Sequence, residues 1–191
     1  MVTEENISPT ADVLPLSCIE PIQDVFAAAA DIGSVTTDLQ GKPLTVFSNS
    51  CSFCNLILAS SEGRRRCETS WKKVAHSASG RPKIEICHAG LSYAPGRIQV
   101  ENEFVAMIFA GQFVANEAER HTLGLDDLAL QCHVPQAELQ EAARQIRVID
   151  ADRAEWLLRL LNKVADTFSH IGEQRLDLLK RLRQVAELAQ V

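Results

Sequence analysis

Cys51, Cys54, Cys67 and Cys87 are the residues whose types and spacing are best suited to chemistry, the set opening in Cys-Ser-Phe-Cys and closing in Cys-His-Ala-Gly-Leu. A C-x2-C pair can turn two sulfurs toward one point through a tight loop. Two further thiols brought in by the fold would complete a tetrahedral shell that zinc and iron both favour. A zinc ribbon normally presents a second C-x2-C knuckle, whereas here the last two thiols are single and widely separated. Three readings of the set stay open: coordination, a redox disulfide, and plain burial of small apolar side chains. Four thiols with no required histidine, and basic residues close by, tilt coordination toward an iron-sulfur cluster of the 4Fe-4S type, with zinc as the alternative. Cys18 and Cys132 stand alone and read as packing residues.

His88 directly follows Cys87 and is a candidate metal ligand or hydrogen-bond partner of one. Adjacent residues of a regular strand point to opposite faces, which disfavours Cys87 and His88 on one ion. His76, His121, His133 and His170 lack a partner pattern and read as surface or helix-end residues. Gly63-Arg64-Arg65-Arg66 with Lys72 and Lys73 forms a basic cluster, either offsetting the charge of a thiolate site or lying as a solvated helix face. No glycine-rich phosphate loop, His-Glu-x-x-His or nucleophile elbow is present. No catalytic site is complete, so the chain is read as a non-enzyme.

These residues need a scaffold. Residues 1–15 are polar and proline-containing and read as a flexible tail. Ile22, Val25, Phe26 and Ala29 recur at helical spacing over 19–32, with Gly33 as the cap. Val35 to Asp38 and Pro43 to Phe47 flank a glycine-bearing turn and predict a hairpin. Helical turns follow over 55–60 and 66–78, the second presenting Trp71, Val74, Ala75 and Ala78 on one face. Cys67 would open that helix, where the dipole favours a thiolate. Strands are expected over 83–87, 96–100 and 103–114, with Asn102 in the last turn and the apolar run from Phe104 to Gln112 as a central strand buried on both faces. Helices over 117–130 and 136–146, separated at Pro135, would cover the sheet or the mouth of the site. This order of elements gives an α+β class, an antiparallel sheet flanked by helices, as one domain over residues 16–150.

Residues 151–191 differ in kind. Leu157, Val164, Ile171, Leu178 and Val185 recur every seven residues, with Leu161, Phe168, Leu182 and Ala189 in the companion position. That pattern predicts a coiled-coil-type helix and a homodimer through Leu157, Val164, Ile171, Leu178, Leu182 and Val185, strongest in the last two heptads. Arg175 interrupts the seam, and Gly172 costs about 1 kcal/mol of helix propensity against alanine. The first half of the helix can instead pack on the sheet.

The formal net charge of −6 gives no general attraction for nucleic acid or anionic membrane, and no apolar run reaches the length of a membrane span. The acidic amino terminus lacks the features of a secretory signal, so a cytoplasmic setting with reduced thiols is expected.

Ser48-Asn49-Ser50, Phe53-Cys54, Cys67, Cys87-His88-Ala89-Gly90-Leu91, Pro95 and Gly111-Gln112 occur in the order found in PocR sensory domains, and over about residues 18–150 the chain resembles that family. The resemblance implies a PAS- or GAF-like fold and a sensory domain of a bacterial regulatory system. It also implies small-molecule signals, diols and other simple hydrocarbon derivatives among them, and an output module such as a kinase or a DNA-binding regulator. Cys54, Cys67, Cys87 and His88 are the positions it carries across, and it does not carry Cys51.

Overall fold

The structure, a computed structural model, describes residues 13–77 and 82–189. Most of the expected tail, together with Ala78, Gln190 and Val191, lies outside them. The elements in chain order are α1 (Leu16–Ala30), β1 (Gly33–Thr37), α2 (Ser52–Ala59), α3 (Ser61–His76), β2 (Glu85–Ile86), β3 (Ser92–Val100), β4 (Glu103–Val114), α4 (Glu117–His121), α5 (Leu125–Cys132), α6 (Gln136–Ala143), β5 (Arg147–Val148) and α7 (Ala151–Leu188). The fold is α+β, an open five-stranded sheet flanked by helices and followed by one long helix. Its strand order is β1-β4-β3-β2, antiparallel throughout, and the short β5 adds a parallel pairing to the end of β4.

β4 is the central strand the apolar run predicts, paired with β3 along most of its length and with β1 over Met107 to Gly111. Strand alternation sends its residues to two different cores. Ala106, Ile108 and Ala110 join Ala94 and Ile98 of β3 against α1 and α7, whereas Met107 and Phe109 join Val35 and Tyr93 against Trp71, Val74 and Ala75 of α3. A third cluster, with Phe53, Ile57, Leu128, Leu139 and Ile146, closes α2, α5 and α6 over the end of β4.

Several boundaries move from the sequence expectation. Asp31, in the left-handed conformation at φ 50°, caps α1, and Gly33 begins β1 instead of ending the helix. The buried face of α1 is Ile19, Gln23, Phe26, Ala27 and Ala30, while Val25 is 70% exposed. The face has turned because Gln23 is drawn inward by hydrogen bonds. The second arm of the hairpin makes only isolated bridges, Thr37 with Pro43 and Ser34 with Ser48. The helix expected over 117–130 is two, α4 and α5, broken at Thr122-Leu123-Gly124. Leu14, placed in the tail by composition, is fully buried against the sheet core.

α7 runs unbroken from Ala151 to Leu188, and its side chain cap is Asp150, which accepts from the Arg153 amide. Ala154, Leu157, Leu161, Ala165, Phe168 and Gly172 are its buried stripe. Their spacing of three and four residues advances by eleven over three turns, the rhythm of a straight helix on a flat surface, and not by the seven of a coiled-coil seam. Leu157 is therefore consumed by the chain's own core and is not free to meet a partner, a correction to the seam expected from the sequence. Gly172 is also re-read. A Cβ there would lie 2.7 Å from Val100 Cγ2 and 3.2 Å from Leu14 Cδ2, so the residue that weakens the helix is what lets it close on the sheet. Past Gly172, Leu176 still packs against the sheet core and Lys180 pairs with Glu101, while Leu178, Leu182, Val185 and Leu188 are exposed. Among the described residues no helix is long and apolar enough to cross a membrane.

Candidate functional site

The site begins with a polar knot that fixes the approach to Cys51. Gln23 is fully buried, and its Nε2 donates to Val46 O at 2.9 Å and Ser48 Oγ at 2.7 Å. Its Oε1 accepts from the hydroxyls of Thr36 and Thr45, both at 2.8 Å. A buried amide with its groups satisfied holds an irregular segment as firmly as a strand ladder would. The chain leaves this knot through Asn49, at φ 48°, and reaches Cys51, whose extended backbone caps α2. Cys54 lies in the first turn of α2, Cys67 in the second turn of α3, and Cys87 just past β2 in a turn closed by Gly90 at φ 79°.

The fold brings all four thiols to one basin. Cys54 donates a hydrogen bond to the Cys51 sulfur, which with burial raises the Cys54 thiol. The charges of Cys51, Cys87 and Cys67 push in the same direction. The same hydrogen bond lowers Cys51 to about 7, against the effect of its burial and with help from Arg147. Burial drives the Cys67 thiol well up, with the charges of Cys87 and Cys132 adding to it. Burial also raises Cys87, partly offset by backbone hydrogen bonds from Ala89 and Leu91. The helix-dipole argument for a Cys67 thiolate is thus overturned: Cys67 sits beyond the first turn, and desolvation outweighs the dipole.

His88 Nε2 lies 3.3 Å from Cys67 Sγ, and its Nδ1 is buried without a partner. Burial lowers its pKa, with the charge of Arg66 adding to the effect, which favours the neutral ring. Cys87 and His88 stand in a turn and not in a regular strand, which removes the strand-alternation argument against both facing the basin. Cys18 is exposed and so is not the packing residue expected, whereas Cys132 is fully buried beside the set. The basic cluster lies mostly on the surface. Arg65 and Arg66 pair with Glu62 at 2.7 and 2.9 Å, and Arg64 Nε donates to Leu58 O.

Cys54, Cys67 and Cys87 line a cavity of about 60 Å3, walled opposite by Phe47, Trp71 and Phe109. The rings form a continuous wall, with Trp71 centred 5.8 Å from Phe47 and 6.0 Å from Phe109, and Tyr93 edge-on to Phe109 at 5.6 Å. Cys51 lies behind this cavity, outside its lining. Among the described residues no three His, Cys, Asp or Glu side chains are arranged to hold a metal ion. The donor set nonetheless fits a soft metal in its chemistry: neutral thiols around one basin become ligands on losing protons. They share that basin without closing on a point.

The sequence missed the aromatic wall as part of the site, because Trp71 and Phe109 read equally well as core. It also missed Arg147 and Gln112. Gln112 Oε1 accepts from the Cys51 amide at 2.6 Å and its Nε2 donates to Ser50 Oγ at 3.0 Å. Only its place in the Gly111-Gln112 pair marked it.

A family model described as the sensory domain found in PocR matches residues 12–173, which takes in the buried stripe of α7. Regulatory protein PocR of Salmonella typhimurium is 27% identical over 122 residues, which cover 62% of this chain and 40% of that protein. The chain thus spans about 40% of the length of this relative. No solved structure matches.

Proposed function

The chain belongs to the family of the sensory domain found in PocR, and from that membership we propose that its input is read at the thiol basin of a bacterial regulatory system. Cys51, Cys54, Cys67 and Cys87 would hold an iron-sulfur cluster or a metal ion there and report redox state or a small ligand. The observation that carries this reading is that Cys51, Cys54, Cys67 and Cys87, from three segments of the chain, all pack into one cluster at the end of β4. A bound cluster or ion would supply a redox couple or a cationic centre at the cavity wall. The chain's own part is to surrender thiol protons. Because its hydrogen bond to Cys51 and its burial raise Cys54, and burial raises Cys67 and Cys87, binding would release protons and strengthen as pH rises.

A second reading has its own support in the cavity. Its volume and aromatic wall suit a neutral organic molecule of a few heavy atoms, with the thiols then holding structural zinc. A third, a cofactor-free thiol switch, draws on the low Cys51 and high Cys54 values across one C-x2-C turn. A cysteine enzyme is disfavoured by the state of Cys67 and His88, since burial pushes both toward their neutral forms and away from a thiolate-imidazolium pair.

Output would pass through α7 into a homodimer, formed by Leu178, Leu182 and Val185 on the exposed end of the helix, whereas Ile171 of the expected seam packs against the chain's own core. A kinase or DNA-binding module would follow or act as a separate partner, in the cytoplasm. Anaerobic purification with iron, zinc and acid-labile sulfide analysis tests the site. Iron with sulfide supports the cluster, zinc alone supports the structural-metal reading, and neither leaves the switch.

A further inference from the structure

Gln112 is the residue of β4 in the left-handed region, at φ 78°, a conformation strained for any side chain but glycine. It is also unopposed. Tyr93 faces Gly111 and Ser92 faces Phe113, so Gln112 is the extra residue of a β-bulge. On the other edge of the strand the partner changes at the same place, with β1 pairing as far as Gly111 and β5 taking over at Phe113. A glycine would relieve the strain, but it would carry no amide.

The amide reaches across the sheet to the C-x2-C turn, accepting the Cys51 N–H and holding Ser50 Oγ. It passes directly over Gly33, where a Cβ would lie 2.4 Å from Gln112 Cδ. One residue further along β4, Phe113 and Val114 pair with Arg147 and Val148. The Ile149 amide donates to Val114 O at 2.9 Å, and α7 starts immediately after. Two flanking ties, Ser52 Oγ to Gln145 Oε1 at 3.0 Å and Arg147 to Asp31 at 2.6 Å, join the same two regions at their margins.

The geometry points to Gln112 as the positioning residue that couples the Cys51–Cys54 turn to the root of α7, through its hold on the Cys51 amide and the strand switch at its own backbone. This rests on reading the thiol basin as the signal site. Any change that draws the thiols inward must pull the Cys51 amide against Gln112, and the bulge is where β4 yields. The displacement then falls on β5 and the first turn of the helix.

Amide hydrogen exchange on the reduced full chain, read at Cys51 and at Ile149, tests this with and without added Zn2+ under anaerobic conditions. Gln112→Asn tolerates the left-handed backbone but is one methylene too short to reach Cys51. It is expected to speed exchange at Cys51 and Ile149 together by roughly 3- to 10-fold, the worth of one ordinary hydrogen bond. Gln112→Glu keeps the acceptor and charges it, and should slow both sites, so the two variants move in opposite directions even if the first is only marginally folded. Ser52→Ala, which loses a flanking tie alone, should leave Ile149 unchanged. Exchange that responds at Cys51 but not at Ile149 in the Gln112 variants would overturn the coupling. A wild-type chain that takes up no Zn2+ would count against the thiol-site reading alone, because the metal-free exchange still decides the role of Gln112.

Discussion

The two faces of the central sheet are built on different terms. Toward α7, Ala94, Ile98, Ile108 and Ala110 meet Leu157, Leu161, Ala165 and Phe168 in one apolar cluster. Gly96 lets the helix approach so closely that a Cβ there would lie 2.9 Å from Ile108 Cγ2 and 3.1 Å from Ala165 Cβ. Toward α3, the same strands present Tyr93 and Phe109 to a cavity bordered by the half-buried thiols of Cys54, Cys67 and Cys87 and a glutamine in a strained backbone region, with the His88 imidazole against Cys67 outside its lining. One face is packed to be left alone. The other retains groups whose protonation, bonding or contacts can change, and such groups are tolerated where the opposite face supplies the stability.

The largest expected effect breaks the inert face. Phe168→Ala should cost about 3–5 kcal/mol, since the ring is fully buried against β3 and its removal leaves a hole in a well-packed layer. Urea denaturation measures it. Cys67→Ala should cost only on the order of 1 kcal/mol, because a small thiol beside an existing cavity leaves little new void. A Cys67 variant as damaged as the Phe168 variant would make the basin ordinary core and favour plain burial of the thiols.

The second effect sharpens the reactive face. Cys54→Ala, Cys67→Ala and Cys87→Ala should each abolish stoichiometric metal binding, because a shell short of one thiolate is open and loses much of its affinity. Full metal content in any of them removes that residue from the shell. Cys18→Ala should keep the metal, its thiol being exposed on α1, and so should Cys132→Ala. A Cys132 variant that folds but loses the metal would bring a fifth thiol into the set.

α7 itself joins the two faces to the outside. Its first half is fixed by the sheet, and its exposed end offers Leu178, Leu182 and Val185. Deleting residues 175–191 should weaken dimerisation while leaving the thiol basin's metal content unchanged, as light scattering and metal analysis would report. An unchanged dimer would move the interface onto the body of the domain. A monomeric parent would end the coiled-coil proposal.

What was legible in the sequence follows periodicity and local chemistry. The apolar run of β4 and the Trp71 face of α3 carried their periods plainly, and the C-x2-C pair announced itself by spacing. α7 carried two periods at once. The heptad and the eleven-residue stripe share Leu157, Leu161 and Phe168, and only the sheet decides which is used. The face of α1 was misjudged because Gln23 counts as polar by type, yet it is buried by four hydrogen bonds, three to the loop around Val46 and one to Thr36 of β1. The role of Gln112 depends on a bulge and a change of strand partner, neither of which has a one-dimensional signature.

The smallest effect is a pH dependence whose two limbs come from the same basin. In the metal-free, reduced chain, Cys51 is lowered to about 7, below its value of about 8.5 in an unfolded chain. Between those values the unfolded state binds more protons than the folded one, so stability rises with pH. The contribution is complete above about 8.5 and is lost as pH falls through 7. Cys54, Cys67 and Cys87 shift the other way, so each contributes stability that is fully present below about 8.5 and fades above it, where the unfolded thiols ionise and the folded ones do not. Stability should therefore peak near pH 8, and the rise toward it should be on the order of 1–2 kcal/mol at most. Cys51→Ser should flatten the rise and leave the alkaline fall in place. Urea midpoints at about pH 6.5, 8 and 9.5 separate the limbs, and a wild-type profile level across that range would mean that neither the Cys51–Cys54 hydrogen bond nor burial shifts these thiols.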